Sequence, residues 1–280
     1  MKTIILTITV FVFIGCISGE SENYNLTTQG NFELHFDHYV GDSELKLEET
    51  NSKVLNYRNN IDQKYSLTEF GYYITNVKLI QTNQKIWSDR IQSSIHKEDV
   101  KGFYQIIESK QETKKLKFQG LRDGQYTQIQ FDVGIAEEFV EQGAQGGILD
   151  LASGAWFWNW NSGYIGMKIE GYSEASTQEA DTDQIEGGIT YHIGGWRDIE
   201  PIEGEPPMNV NNVITIELDL TQNIIVNQGS TPIVHIVVDV AKILDGASID
   251  FSQENHIDMP GPGASLAKQF NKAFVVHHVH

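Results

Sequence analysis

The sequence predicts an all-β fold: an antiparallel β-sandwich, Greek-key-like, with long loops and one short C-terminal helix. Three observations predict it. Segment after segment alternates apolar and polar residues with period two, which turns one face of an extended chain toward a core. Clusters of Gly, Asn, Asp and Ser punctuate these segments as turn signals. The stretch AWFWNWNSGYIGMKIEG (155–171) sets Trp156, Trp158 and Trp160 at alternate positions, turns at Asn161-Ser162-Gly163, and resumes alternation with Ile165, Met167 and Ile169. Such an aromatic ladder suits the centre of a sandwich core. The competing reading is an aromatic ligand face.

The elements follow in order. NFELHFDHYV (31–40) places Phe32, Leu34, Phe36, His38 and Val40 on one face, and Glu33, His35, Asp37 and Tyr39 on the other. That is a half-buried strand. A strand is expected over 72–80 and another over 115–121. Arg122-Asp123-Gly124 reads as a hairpin turn into a strand over 126–134. Residues 134–155 are glycine-rich, with a helical turn near 136–142 and otherwise loop, and loops this long tend to be functional or mobile. Further strands are expected at 163–170, 189–195, 213–220 and 233–240. SLAKQFNKAF (265–274) carries Leu266, Phe270 and Phe274 at helical spacing, with Ser265 as its cap. VVHHVH (275–280) is an extended tail, with His278 and His280 on one face and His277 opposite.

The 280 residues fit one large β domain, 31–280. A formal net charge of −18 makes nucleic acid or an anionic bilayer a poor electrostatic partner. The single cysteine, Cys16, rules out an internal disulfide framework. MKTIILTITVFVFIGC (1–16) joins Lys2 to an apolar run that is too short to span a bilayer and has the form of a secretory signal. Its closing Gly15-Cys16 resembles a bacterial lipoprotein signal, in which Cys16 becomes the lipidated first residue; Phe13 stands where Leu is usual. The expectation is an outer-membrane lipoprotein, facing the periplasm or the surface, with residues 17–30 as a flexible tether.

No serine nucleophile elbow, phosphate-binding loop or dinucleotide fingerprint is present, and scattered carboxylates carry no pairing information. The expectation is a protein without catalysis of its own. What remains is histidine on strands: among nine, His35, His38, His192, His235, His277, His278 and His280. His35 and His38 fall on opposite faces of one strand, so the ligands of one metal must converge from different strands. Imidazole donors without a free thiol suit copper, zinc or nickel.

FELHFDHYVG, YSLTEFGYYITNVKLI, YTQIQFDVGI, WFWNWNSGYIGMKIEG, TYHIGG and FNKAFVVHHVH occur in that order over most of residues 31–280. Together they resemble the MbnP-like family of exported bacterial proteins associated with copper handling. The resemblance implies a β-rich domain with a mononuclear copper site built from histidines. In relatives, a tryptophan near a ligand is oxidised to kynurenine by a partner dihaem enzyme of the MauG type. Phe36-Asp37-His38 matches the Trp-x-His of some relatives. This carries a ligand role to His38 and leaves Phe36 where the modified tryptophan stands. Trp158 and Trp160 are the alternative aromatics for modification. His192, in Tyr-His-x-Gly, is the second expected ligand and His278 the third. The expected function is copper capture or delivery at the cell envelope; the alternative is a surface lipoprotein that binds an apolar or glycan ligand and has no metal site.

Overall fold

The computed structural model describes residues 29–181, 185–201, 203–204 and 208–280. The signal segment, Cys16 and nearly all of the tether lie outside the described residues. In chain order the first strands are β1 (Gln29–Val40), β2 (Ser43–Glu44), β3 (Tyr57–Arg58), β4 (Lys64–Gln81), β5 (Ile86–Ser88), β6 (Phe103–Ile107), β7 (Lys115–Arg122) and β8 (Gly124–Val133). After a helical turn, α1 (Glu137–Val140), come β9 (Phe157–Asn159), β10 (Gly163–Ser173), β11 (Gly188–Gly194), β12 (Ile214–Val226) and β13 (Ile233–Asp239). Helix α2 (Val240–Gly246), β14 (His256–Ile257), α3 (Pro260–Ala267), α4 (Phe270–Ala273) and β15 (Phe274–Val279) close the chain.

Two sheets face each other. One runs β15-β13-β1-β2, with β7 also beside β1. The other runs β12-β8-β4-β10-β11-β14, with β3, β5 and β6 on β4 and β9 on β10. The β1 alternation is obeyed: Phe32, Leu34, Phe36, His38 and Val40 are all buried between the sheets. They meet Tyr72 and Ile74 of β4, Phe131 of β8, Met167 and Ile169 of β10 and Tyr191 of β11 in one core. The expected β-sandwich is present, and its sheets are mixed. β1 pairs with β13 in parallel, His35 beside His235. No hairpin joins these two strands, so no turn geometry forces them to run antiparallel.

Local expectations were met unevenly. Arg122-Asp123-Gly124 does not make a hairpin: β7 pairs with β1 and β8 with β4 and β12, so this turn carries the chain from one sheet to the other. The Tyr126 hydroxyl donates to the Arg122 carbonyl at 2.9 Å and holds that corner. The three tryptophans are not the centre of the sandwich core. β9 pairs only with β10, as a short ribbon, and extended geometry ends at Asn159. Trp156 packs edge-on against Tyr73, beside a second apolar cluster on the outer face of the large sheet, Trp158 lies over Gly194 on that same face, and Trp160 leaves the row to pack against Phe157. The glycine-rich 134–155 segment is the cover of that cluster, burying Ile135, Val140 and Leu149. Gly163, at φ +78, makes the turn into β10, and a Cβ there would come within 2.4 Å of the Trp196 ring. The C-terminal helix begins earlier than expected. Pro260 occupies its first turn, where a proline's fixed φ favours helix and its missing N–H costs nothing. The helix breaks before α4, yet Leu266, Phe270 and Phe274 are all buried as the spacing requires.

Candidate metal centre

His38, His192 and His278 fall in three separate environments. His38 points into the core, 2% exposed. Its Nδ1 lies 2.6 Å from Glu108 Oε2 and its Nε2 lies 3.0 Å from the Tyr72 hydroxyl. Lys114 Nζ donates to the same Glu108 oxygen at 2.9 Å. Burial lowers the His38 pKa against the opposing pull of Glu108, so the ring is neutral. Burial would raise Glu108, but hydrogen bonds from His38 and Lys114 outweigh it and hold the carboxylate below its ordinary value. A neutral ring that donates from Nδ1 to a carboxylate accepts at Nε2, and Tyr72 fills that lone pair. Both His38 nitrogens are therefore engaged within the protein.

His192 lies on the outer face of the large sheet. It pairs with Lys168, and Lys168 pairs with Gly71, the neighbour of inward Tyr72. The sheet itself stands between His192 and His38. His192 Nδ1 is 2.8 Å from Asp258 Oδ1, and Nε2 is 2.7 Å from Glu170 Oε1. Two carboxylate partners need two N–H donors, so this ring is an imidazolium. Burial alone would lower its pKa, but the hydrogen bonds to Asp258 and Glu170 prevail and raise it. Trp158 donates its indole N–H to Asp258 as well. Trp160, 45% exposed, stacks edge-on with Phe157.

The His192 clamp makes a pH prediction. A group whose pKa is raised on folding stabilises the fold fully below its unfolded value, and that contribution is lost as pH rises through the folded value. For His192 the loss begins above its ordinary value of 6.5. Glu170 and Asp258 are held below their ordinary 4.5 and 3.8, so their contribution is lost as pH falls through those lowered values. Urea-unfolding free energy should therefore decline above pH 6.5, and His192→Gln should flatten that decline. An identical slope in the variant would assign the titration to another group.

His278 has different company. β13 lies between β1 and β15, and all three strands carry outward histidines in neighbouring register. His35 pairs with His235, and His235 with His278. The His235 and His278 rings stack at 4.3 Å and 11°, His235 and His280 at 5.1 Å, and His278 and His280 at 5.4 Å. One nitrogen from each of His235, His278 and His280 lies within 4.8 Å of the others. Ligand nitrogens about 2 Å from a shared ion stand at most roughly 4 Å apart, and an imidazole lone pair lies in its ring plane, so holding one ion requires these stacked rings to turn out of parallel and draw closer. His35 sits edge-on to His235 at 5.0 Å. Asp37 Oδ2 accepts from His235 Nδ1 at 2.7 Å, which places the proton on Nδ1 and leaves the Nε2 lone pair to serve as a ligand. Partial desolvation by the adjoining rings, followed by the charge repulsion of the neighbouring imidazoles, lowers the His278 pKa.

The tail does not follow simple alternation. Ile236 pairs with Val276 and His235 with His278, so His277 is the extra residue of a β-bulge. Val276 and Val279 still pack on the core. His277 swings next to His278, their Nδ1 atoms 3.1 Å apart, rather than taking the opposite face.

The inward and outward faces of β1 and the shared face of His278 and His280 were legible in sequence. The grouping of His235 with them was not, because His235 and His278 are paired only by the sheet, across the helices and loops between β13 and β15, and such neighbours leave no local signal.

The comparisons with known proteins fit this architecture. No curated protein matches the sequence. Among solved structures the fold is similar to that of MbnP from Methylosinus trichosporium, with a TM-score of 0.52 and 13% identity, covering 89% of this chain and 98% of that chain. At that identity the likeness is one of fold. A family model described as MbnP matches residues 29–260, a span that includes His38, Trp158, Trp160, His192 and His235 and stops short of His278 and His280. With most of its length matched, from the first strand to the start of α3, the chain belongs to the MbnP family.

Proposed function

We propose that this protein is an exported copper-binding lipoprotein, anchored through Cys16, that captures or delivers copper at the outer membrane and catalyses no reaction of its own. One observation carries the site: the imidazoles of His235, His278 and His280 lie together on the outer face of the small sheet. Family membership supports copper as the metal. The donor set fits it: three imidazoles, with a carboxylate orienting one of them, suit copper, zinc or nickel and lack the thiolate that would select against copper(II). The site lies at the surface, with His278 and His280 exposed, which suits an ion that must be taken up and released.

Titration of the purified protein with copper tests the reading. One tight equivalent is expected, and stoichiometric zinc in competition should displace little of it, because copper stands above zinc in the intrinsic order of affinities. Absence of a tight equivalent would remove the copper reading and favour the apolar- or glycan-binding alternative.

A MauG-type dihaem enzyme is the proposed partner if an aromatic is modified. Trp160 is the more accessible candidate, and Trp158 is tied to Asp258 through its indole N–H. An intact mass of protein from its native host, mapped by peptide, is expected to place any oxidised tryptophan at one of these two residues. The same spectrum reports the lipid on Cys16. An N-terminus starting elsewhere would end the anchor proposal.

A further inference from the structure

The bulge at His277 has a use that regular pairing would not provide. A metal that passes between proteins without escaping as a free ion must be held for a moment by ligands from both sides. Three resident imidazoles make this slow, since a ring that lets go re-forms its bond before the next one breaks. A fourth imidazole beside the set, outside it and in water, changes the route. It can take the ion as a resident ligand lets go, and can hold it while the incoming ligand binds.

His277 is placed for that role. The bulge breaks the alternation that would have turned it away and sets its Nδ1 3.1 Å from His278 Nδ1. It is exposed, and His278 is the one side chain to which its ring is hydrogen-bonded among the described residues. His235, in contrast, is pinned by Asp37 and by ring neighbours on both sides. The site is thus asymmetric, with a fixed, half-buried end at His235 and an exposed end at His277–His278. We propose that His277 is an exchange ligand: it is not part of the resident set, and it carries the ion between that set and an incoming imidazole or carboxylate donor. This rests on the copper site proposed above.

The test separates rate from affinity. Full-length protein loaded with copper(II) is mixed with excess EDTA, and loss of the visible absorption band is followed by stopped flow. In wild type the rate should rise with EDTA concentration, as associative exchange requires. His277→Ala should hold copper with affinity within about threefold of wild type, yet release it at least about tenfold more slowly, a modest fraction of what a tethered ligand supplies by effective concentration. Added free imidazole should restore the rate. An unchanged exchange rate in His277→Ala overturns the proposal. So does a fall in affinity as large as that of His278→Ala, which would make His277 a resident ligand. If His235→Ala and His278→Ala leave copper binding intact, the site itself is misplaced, and that failure is distinct from the other two.

Discussion

Single replacement of His235, His278 or His280 by alanine is expected to lower copper affinity by at least about a hundredfold, and the triple variant is expected to lose the tight equivalent altogether. The lower bound follows from comparison. Removing an outer-sphere partner of a metal ligand typically costs about 10–100-fold, and removing the ligand costs more. Asp37→Asn supplies that comparison within this site. It keeps the shape of the side chain but weakens the carboxylate acceptor of the 2.7 Å bond that orients His235. A loss of about tenfold is expected there. His235 and Asp37 lie on a half-buried outer face and His278 and His280 are exposed, so the folded state should survive these changes. Thermal unfolding without metal should confirm this, which makes the binding result interpretable. His38→Ala and His192→Ala, by contrast, should retain copper binding. Were one of them to abolish it while the triple variant bound normally, the metal would belong at that histidine.

His38→Ala is expected to have the largest effect on stability. The side chain is fully shielded, and it ties β1 of the small sheet to Glu108 and Tyr72 on the side of the large sheet. Its loss leaves a cavity beside Phe70 and Tyr72, strips Glu108 of one of two partners and leaves the Tyr72 hydroxyl buried without an acceptor. Large-to-small changes in cores cost about 2–5 kcal/mol, and an unsatisfied buried polar group costs about 1–3 kcal/mol. Because Glu108 keeps Lys114, a total of about 3–4 kcal/mol is expected within those ranges. Urea unfolding without metal measures it as a lower midpoint at unchanged slope. A change below about 1 kcal/mol would show that the His38 network does not carry the packing assigned to it here.

These two predictions divide the histidines by environment, and the division shows where sequence reasoning reaches. A strand's period of two is local, so the inward face of β1 was legible from Phe32 to Val40, His38 included. The side of a residue does not reveal its partner. His38 and His192 stand out in the sequence because they sit in recognisable motifs, yet the fold gives each ring two hydrogen-bonding partners within the protein. Trp156, Trp158 and Trp160 alternate, but the strand ends at Asn159, so Trp160 turns away to pack against Phe157 while the other two lie on the outer face of the large sheet and not in the core.

By itself the sequence determined the class of the fold, the core-facing residues of its long strands, the buried face of the C-terminal helix and, through the order of its motifs, the family. Alternation, turn chemistry and helical spacing all act over a few residues, and each was written into the chain. Tertiary structure decided which strands became neighbours. That choice laid β1 beside β13 and β13 beside β15, stacked His235 against His278 and His280, and inserted the bulge that turned His277 toward them. The physical reason is one of range. Side-chain direction is set by the residue's own backbone, whereas a metal site needs donors a few ångströms apart, and here those donors come from β13 and from β15 with the residue after it, strands that only the assembled sheet brings together.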